Sequence, residues 1–420
     1  MPIATGSQST VGYMLEASYN VPDTGTVYNE IRRKSAAGLN LTKDSYDSEE
    51  VRIDRQLADS RHGVRRAGGD IETEVSVGSY TDLLGALLGY HDVGDTSGDF
   101  VKGWLDGSTV ATTESIGFDS AGTIDFAAWP FKVGDRITVS GLVTNPTNNG
   151  TYTLTARFGA TGKFYCSPSP AVTAAESGTA TLLGYQAKVG RVSNSFTLER
   201  AFTDIVQYQA FTGMKVNSAA FTLPATGLAT ATWNFLGKDA LDLAATPIST
   251  IATDPADVVN NPVYHSVSTE AVLAAVNGAI YIKQDALGTV TDLNFTIDNQ
   301  LGGSEVVGSN VIPESLWGNT QMVSGKLTVL FEDEIQYNRF LNETTASLIF
   351  RMDGASAADW LQFTFPRCKF NSASIGDAVA TDCHWRLNSG PCFLLYLVSI
   401  PRKSSSRRPV WPTQTCRHNF

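Results

Sequence analysis

Apolar and polar residues alternate along most of the chain, and a period of two residues is typical of half-buried β-strands. The clearest example runs from Ile71 to Val77, where Glu72, Glu74 and Ser76 alternate with isoleucine, threonine and valine. The same alternation predicts strands over 195–198, 219–223, 230–235, 292–297, 326–331 and 348–352. The chain is therefore predicted to be mainly β.

Two short segments have helical spacing instead. Residues 81–88 begin with Thr81, a residue type that favours a helix N-terminus, and repeat leucine at intervals of three and four. Residues 332–341 bring apolar side chains to one side and start with acidic residues, which the helix dipole stabilises there. Each segment predicts one short helix.

The sequence also contains an internal repeat. Segments of the first half have counterparts in the second half, in the same order. The pairs are 39–42 with 293–296, 48–51 with 304–307, the glycine-led strands 69–77 with 325–331, and 215–219 with 369–373. Chance similarity among β-rich segments is the alternative interpretation. Four matches in one order favour two copies of one β-domain, each with one short helix.

The first copy is interrupted by a segment with its own rhythm of strands and turns. Strands are predicted there at 115–118, 123–126, 136–140, 151–156, 163–166 and 179–183. We therefore predict a first copy of the β-domain in 1–93 and 188–247, an inserted β-module in 94–187, and a second copy in 248–382. Because a host loop tolerates such an insert where it is exposed, the module is expected on the outside of any assembly.

The composition changes after Asp382. Residues 383–420 contain six Lys and Arg residues and no acid, and the alternating pattern of the first copy is replaced there by an apolar run and a basic run. A shifted reading frame and a genuine basic extension both explain this atypical tail.

The composition of the chain excludes several classes of protein. With 420 residues, 42% of them hydrophobic, the chain has material for two or three domain cores. A net charge of −11 argues against a protein that wraps nucleic acid, although an acidic wall beside a passing polyanion is compatible with it. No window is apolar enough for a membrane span. Five cysteines without CxxC spacing predict neither a disulfide framework nor a zinc site.

Motifs for chemistry are missing from the sequence. It contains no HExxH, no GxSxG and no phosphate-binding GxxxxGK[ST], and its five histidines are scattered. No catalytic, cofactor or metal site is expected, and the protein is not expected to be an enzyme.

A family likeness appears in several of these segments. Residues 6–13, 31–33, 39–70 and 69–88 resemble the N-terminal half of the tail tube proteins of long-tailed bacteriophages, and 291–308 resemble the C-terminal half. The likeness omits the insert and the tail after Asp382. The insert itself is similar to small β-modules that are appended to phage structural proteins.

This resemblance implies β-sandwich or β-barrel domains that assemble into stacked rings around a DNA channel. Single-domain members form hexamers, so a duplicated chain is expected to form trimers with pseudo-sixfold symmetry. Expected partners are further copies of the chain, the tape measure and tail-end proteins, and DNA that passes without specific binding. The expected location is the virion tail, assembled in the host cytoplasm.

The most charged segment, 43–70, is the predicted contact between stacked rings. It mixes seven acids with six bases, which suits a long loop that fixes the rotation of the next ring. A solvated loop with internal ion pairs is the alternative. The candidate contact residues are Asp47, Glu49, Glu50, Arg52, Arg55, Arg61, Arg65 and Arg66, together with Trp317 from the less charged counterpart segment.

The candidate channel lining lies on the strand that starts at Gly69. Alternation places Glu72, Glu74 and Ser76 on one face, and an acidic or neutral face would not retain DNA. A plain solvent-facing surface is the alternative. Two other functions stay open: another virion β-protein of the baseplate, tail end or decoration type, and a glycan-binding β-protein.

Overall fold

The computed structural model describes residues 4, 6–35, 38–76, 79–89, 103–105, 117–119, 136–140, 146–158, 163–167, 180–183, 187–190, 192–249, 272–274, 278–282, 285–286, 290–309, 311, 315–316, 320–330, 335–354, 360–375, 380–387 and 394–395. The predicted strand at 123–126 and most of the basic tail lie outside these residues.

The described chain is built from strands and two α-helices, which confirms the predicted mainly β class. The first half contains β1 (Ser9–Leu15), β2 (Asn29–Glu30), β3 (Asn40–Asp47), β4 (Ser60–Glu74) and α1 (Thr81–Leu88). The inserted segment contains β5 (Gly103–Leu105), β6 (Gly117–Asp119), β7 (Arg136–Ser140), β8 (Gly150–Phe158), β9 (Lys163–Ser167) and β10 (Ala180–Leu183). Then follow β11 (Ala187–Lys188), β12 (Phe196–Phe202), β13 (Gln207–Pro224), β14 (Thr230–Gly237) and β15 (Asp239–Ala240).

The second half is also built from strands and one α-helix. It contains β16 (Gly278–Ile282), β17 (Asp285–Ala286), β18 (Val290–Asp298), β19 (Gly302–Gly303), β20 (Ser315–Leu316), β21 (Met322–Leu330), α2 (Ile335–Leu341), β22 (Ala346–Asp353), β23 (Trp360–Ile375), β24 (Ala380–Leu387) and β25 (Leu394–Leu395). Short 3-10 turns lie at Gly6–Gln8 and Pro146–Asn148. The predicted strands outside the insert are confirmed, and so is the first helix. The second helix is confirmed over 335–341, but no acidic residue lies in its first turn, and 332–334 lie outside the described residues.

Fifteen strands form one sheet system, organised by the two long strands β13 and β23. The C-terminal part of β13 pairs with β14 and β18, and its N-terminal part pairs with β12. Likewise, β23 pairs with β24 at its C-terminal end and with β22 at its N-terminal end. We call the eight-stranded antiparallel layer β3-β4-β14-β13-β18-β21-β24-β23 the front layer.

The two halves of the front layer have the same strand order. The first half is β3-β4-β14-β13 and the second is β18-β21-β24-β23. In each half, one helix follows the second strand along the chain. In each half, two further strands also pair in turn beside the N-terminal part of the long strand. These are β12 and β1 beside β13, and β22 and β16 beside β23.

The ladders are also interrupted at matching places. The register between β12 and β13 shifts between Phe196 and Leu198, and that between β22 and β23 shifts between Ala346 and Leu348. A second shift lies inside the repeated Lys-x-Asn-Ser-Ala motif, where Asn217 and Asn371 bulge against β14 and β24. A bulge bends a strand and increases its twist, so both long strands leave the front layer at the same point of the motif.

Strand pairing corrects one of the sequence matches. Neighbours across the first half run Lys215, Leu236, Gly68 and Asn40. Neighbours across the second half run Lys369, Arg386, Ser324 and Thr296. Since the two motif lysines correspond, Asn40 corresponds to Thr296 and not to Asn294. The sequence similarity of 39–42 with 293–296 is therefore two residues out of register, which keeps every side chain on its face.

The inserted segment forms a sheet of its own. Its six strands have the order β5-β10-β7-β8-β9-β6 and pair only with one another among the described residues. The predicted strands at 136–140, 151–156, 163–166 and 179–183 coincide with β7, β8, β9 and β10.

The core face of the front layer is strongly aromatic. Trp233 is buried and donates from Nε1 to Thr73 Oγ1 at 3.0 Å. Where the two halves meet, Phe221 of β13 stacks on Phe295 of β18 with 4.9 Å between ring centroids. Further phenylalanines from the second half surround this pair: Phe350, Phe363 and Phe365.

Replacing Phe295 with alanine is expected to lower the free energy of unfolding by about 3 to 5 kcal/mol, because the change leaves a cavity in this cluster. Chemical denaturation of unassembled subunits measures the loss. Phe202→Ala, which removes a half-buried ring on β12, serves as the control and should cost clearly less. Equal losses for the two variants would contradict a special role for the aromatic contact between the two halves.

The helix α1 packs on the core face and connects the two halves. It begins after Tyr80, which provides no side-chain cap, so the predicted capping role of Thr81 is wrong. Gly89 ends it in the left-handed conformation, with φ 66°. The carbonyl of Leu87 accepts hydrogen bonds from Asn299 Nδ2 at 2.8 Å and Gln321 Nε2 at 2.9 Å, so side chains of the second half satisfy the end of a helix of the first.

Residues 43–70 are not one long loop, as the sequence suggested. Residues 40–47 and 60–70 form a charged antiparallel hairpin in β3 and β4, and only 48–59 connect the two strands as a loop. The hairpin extends beyond the core, so both of its faces carry polar residues. Period-two alternation of apolar residues is therefore lost although the strands continue.

A buried carboxylate joins three segments of the first half. Glu16, only 7% exposed, follows β1 and accepts hydrogen bonds from the loop after it, from the start of β12 and from β13. The donors are Asn20 N at 2.7 Å, Ser195 Oγ at 2.6 Å, Thr197 Oγ1 at 2.8 Å and Gly213 N at 2.9 Å. Gly213 has φ +64°, and a Cβ there would lie 3.0 Å from Lys238 Cβ, so this approach requires glycine.

Candidate assembly surfaces

The face of the front layer that points away from the core is polar; we call it the polar face. It is formed by the residues that alternate with the buried ones on β4, β13, β14, β18 and β21. Its rows of cross-strand neighbours include Glu74-Thr230-Thr222-Asn294-Lys326 and Glu72-Thr232-Ala220-Thr296-Ser324.

Negative charge dominates this face. Among its described side chains, β4 and β18 contribute five carboxylates: Asp70, Glu72, Glu74, Asp292 and Asp298. Among the described residues of this face, two cations accompany them, Arg66 on β4 and Lys326 on β21. Lys34 contacts Glu72 at 3.3 Å from the side. A surface with this excess of carboxylates repels a polyanion.

The three predicted lining residues do not lie together. Glu72 and Glu74 are half-buried on the polar face, opposite the buried Ile71, Thr73 and Val75. Ser76 lies beyond the end of β4, is 3% exposed, and donates to Ser79 Oγ at 2.6 Å. Alternation stops where the strand ends, so Ser76 is not on this face.

A shallow concavity of about 540 Å³ lies on the polar face. It is lined by residues of β13, β18 and β21, among them Thr222, Asn294 and Lys326, and by Asn371 of β23. Among the described residues, no group of three or more His, Cys, Asp or Glu side chains could hold a metal ion. Burial raises the pKa of Cys368, a free thiol in the core.

The loop between β3 and β4, residues 48–59, is the tip of the hairpin and exposes large apolar side chains. Val51 is 97% exposed, Ile53 105% and Leu57 57%. Three such residues on one loop are unusual for a surface that meets only water. In the sequence these apolar residues stand between the many charged residues of the segment, so they gave no signal of a contact.

The predicted contact residues of this segment fall into two groups. Arg52 pairs with Asp54 at 2.9 Å, Arg61 pairs with Asp59 at 2.9 Å, and these pairs are solvent-exposed. Glu49, Glu50 and Arg55 are exposed on the loop, as is Asp47 at the end of β3. Exposed pairs of this kind contribute little to stability, so their side chains are available to a neighbour.

Arg65 and Arg66 belong to the second group, because they make ion pairs within the chain. Arg65 contacts Asp239 at 2.6 Å, and both side chains are largely buried. Arg66 donates from Nη1 to Asp44 Oδ1 at 2.8 Å and also contacts Glu305. The hydrogen bond with Asp44, aided by Glu305, raises the pKa of Arg66. These arginines stabilise the base of the hairpin.

The counterpart segment in the second half, between β18 and β21, also exposes apolar residues. Val307 is 107% exposed and Val306 is 48% exposed. Val307 stands where the repeat places Val51, so both segments present a valine to solvent at the same position of the motif. Trp317 lies outside the described residues.

Both ends of the front layer have a free strand edge. Within the described chain, β3 pairs only with β4, and the part of β23 after Cys368 pairs only with β24. Unpaired edges expose backbone donors and acceptors that pair with another chain.

No helix of the described residues has both the length and the apolar composition that crossing a bilayer requires. Residues 6–382 match the sequence model of a family described as phage tail tube protein. No curated protein matches the chain. The match covers the first half, the insert and the second half, and it ends within β24.

Proposed function

The chain belongs to the phage tail tube protein family, and from this premise we propose that its copies close into rings whose inner wall is a continuous antiparallel sheet. The protein is a structural subunit of the phage tail. The observation that carries the proposal is the front layer itself, which has eight strands, one apolar face, one acidic face and a free edge at each end.

We also propose that the chain contains the tube domain twice, with the insert inside the first copy. The identical strand orders, the matching bulges and the single helix in each half support this duplication. We propose the same boundaries as the sequence suggests, 1–93 with 188–247 for the first copy, 94–187 for the insert and 248–382 for the second copy, although β24 continues to Leu387.

Three chains per ring follow from the duplication, because each chain supplies two of six equivalent domains. Eight strands from each of three chains give about 24 strands, and a spacing of about 4.8 Å gives a circumference above roughly 110 Å. A closed sheet of this size surrounds an aqueous bore and has no free edges.

The polar face is the proposed lining of the bore. The opposite face is filled by the aromatic core and by α1, so only the polar face is free to meet the contents of the tube. Its carboxylates would keep DNA from adhering during passage.

Stacking of rings is assigned to the two exposed segments, the loop 48–59 and the segment around Val307. The apolar side chains would be buried against the next ring, and Asp47, Glu49, Glu50 and Arg55 would fix its rotation. Arg52 and Arg61 are available for the same role through their exposed ion pairs. The insert would lie outside the tube, and the tape measure and tail-end proteins would bind at the ends, after assembly in the host cytoplasm.

Electron microscopy of the purified protein tests the proposal. Rings or tubes of uniform bore are expected, with threefold symmetry in averaged end views. Monomers that stay single at high concentration would overturn it, and fixed small oligomers without a bore would favour a baseplate or decoration role.

A charge reversal tests the lining. Tubes of Glu74→Lys are expected to retain about tenfold more short duplex DNA after nuclease treatment than the parent tubes, because each subunit adds a phosphate contact to the bore. Asp242→Lys makes the same charge change at an exposed site after β15, away from the polar face. If that control retains as much DNA as Glu74→Lys, the polar face is not the lining.

A further inference from the structure

The contact between the two halves of the chain is made along one strand edge. β13 pairs with β18 from Ser218 opposite Asp298 to Pro224 opposite Asp292. Next to this ladder, Asn217 O accepts from Asn299 N at 2.8 Å and Asn217 Oδ1 accepts from Leu301 N at 2.8 Å. Strand-edge pairing of this kind also joins separate molecules.

The two free edges of the front layer are the counterparts of the two strands in this contact. β23 corresponds to β13 through the Lys-x-Asn-Ser-Ala motif, so Ser372 corresponds to Ser218. β3 corresponds to β18 through the rows of neighbours described above, so Thr42 corresponds to Asp298. Ser372, Thr42 and the motif asparagine Asn371 are all exposed in the isolated chain.

We propose that β3 of one copy pairs antiparallel with β23 of a second copy, with Thr42 opposite Ser372 and Leu41 opposite Ala373. This inference rests on the proposed ring and names the strands and the register that close it. Leu41 and Ala373 are both half-buried and pack against the core of their own half, as the paired Ile297 and Ala219 do at the contact within the chain.

Asn371 has a defined role in this contact. Its counterpart Asn217 accepts hydrogen bonds from the backbone amides of Asn299 and Leu301, which follow the end of β18 at Asp298. By the same register, Asn371 accepts from the backbone amides of Lys43 and Ser45 of the neighbouring copy. Asn371 is then exposed in the single chain because the neighbouring copy that would cover it is missing.

Disulfide trapping in assembled rings tests the register. In the double variant Thr42→Cys/Ser372→Cys, directly opposed positions lie within bridging distance across an antiparallel pair. Mild oxidation is expected to give chains linked in a ladder that ends at three on a non-reducing gel. The parent and each single variant set the background from the five natural cysteines.

The matched control is the double variant Thr42→Cys/Ser374→Cys. It pairs the two residues that would lie opposite each other if 39–42 matched 293–296 as their sequence similarity suggests. Its cysteines are diagonal in the inferred register and about 7 to 8 Å apart, so at least tenfold less cross-linking is expected. More cross-linking in the control than in the test pair would overturn the register.

Other outcomes separate this inference from the proposed function. If the parent protein forms rings and neither pair cross-links above background, the inference fails while the tube role stands. If the parent forms no rings, both fail. A ladder that continues to six chains would overturn the three-chain ring and leave the strand register in place.

Discussion

Replacing Val51, Ile53 and Leu57 together with serine is expected to leave rings intact and to abolish long tubes. All three side chains are exposed at the tip of the β3–β4 hairpin, where the single chain gives them no contact that would bury them. Burying each one is worth about 1.5 to 3 kcal/mol. Losing three from one loop therefore removes at least about 4 kcal/mol, which is roughly a thousandfold for each loop contact. A ring of three chains contains three such contacts, so the affinity of one ring for the next falls further still.

Negative-stain images and sedimentation measure this effect as tube length and as the fraction of protein in single rings. Leu243→Ser is the matched control, because Leu243 is 58% exposed and Leu57 is 57% exposed, yet Leu243 lies outside the hairpin. Tubes of normal length from the triple variant would refute the stacking role of the loop. Shortened tubes from the control would show that any loss of exposed apolar area has the same effect.

Replacing Glu16 with alanine is expected to destabilise the subunit at least as strongly as Phe295→Ala. Four donors converge on the Glu16 carboxylate, two from backbone amides and two from hydroxyls. Each buried donor that loses its acceptor costs about 1 to 3 kcal/mol, so a loss of roughly 4 kcal/mol or more is expected. The variant should unfold at low denaturant concentration or accumulate as insoluble protein.

Chemical denaturation of unassembled subunits measures the Glu16 variant against Glu49→Ala, which removes an exposed carboxylate from the tip loop. Glu16→Gln is the informative intermediate, since it keeps one acceptor and should recover part of the loss. A Glu16→Ala chain as stable as Glu49→Ala would mean that water replaces the carboxylate without cost.

Much of this architecture could be predicted from sequence, because its core obeys a simple period. The segments 219–223, 230–235 and 292–297 bury every second residue, and the structure places each in a strand of the front layer. The two helices were predictable for the same reason. The family assignment also agreed with the resemblance of 6–13 and 39–88.

Other features escaped the sequence for physical reasons. β3 and the first part of β4 carry charge on both faces, so alternation gave no signal for a strand. The similarity of 39–42 with 293–296 covers only four residues, too few to fix a register, and strand pairing shows that it is out by two residues. Val51 and Ile53 look like ordinary core residues in a sequence, and only their exposure in the structure marks them as a contact.

The pairing of β4 with β14 has a consequence for synthesis. Thr73 and its partner Trp233 are 160 positions apart, with the whole insert between them. During translation, the hairpin β3–β4 therefore leaves the ribosome long before the strand that covers its edge exists. A nascent chain in this state exposes an unpaired strand edge and an apolar face that nothing covers yet. Both features favour premature association between nascent chains on the same polysome. Translation of the insert lengthens the interval before β14 is made. The charged residues of the hairpin would keep the nascent chain soluble during that interval.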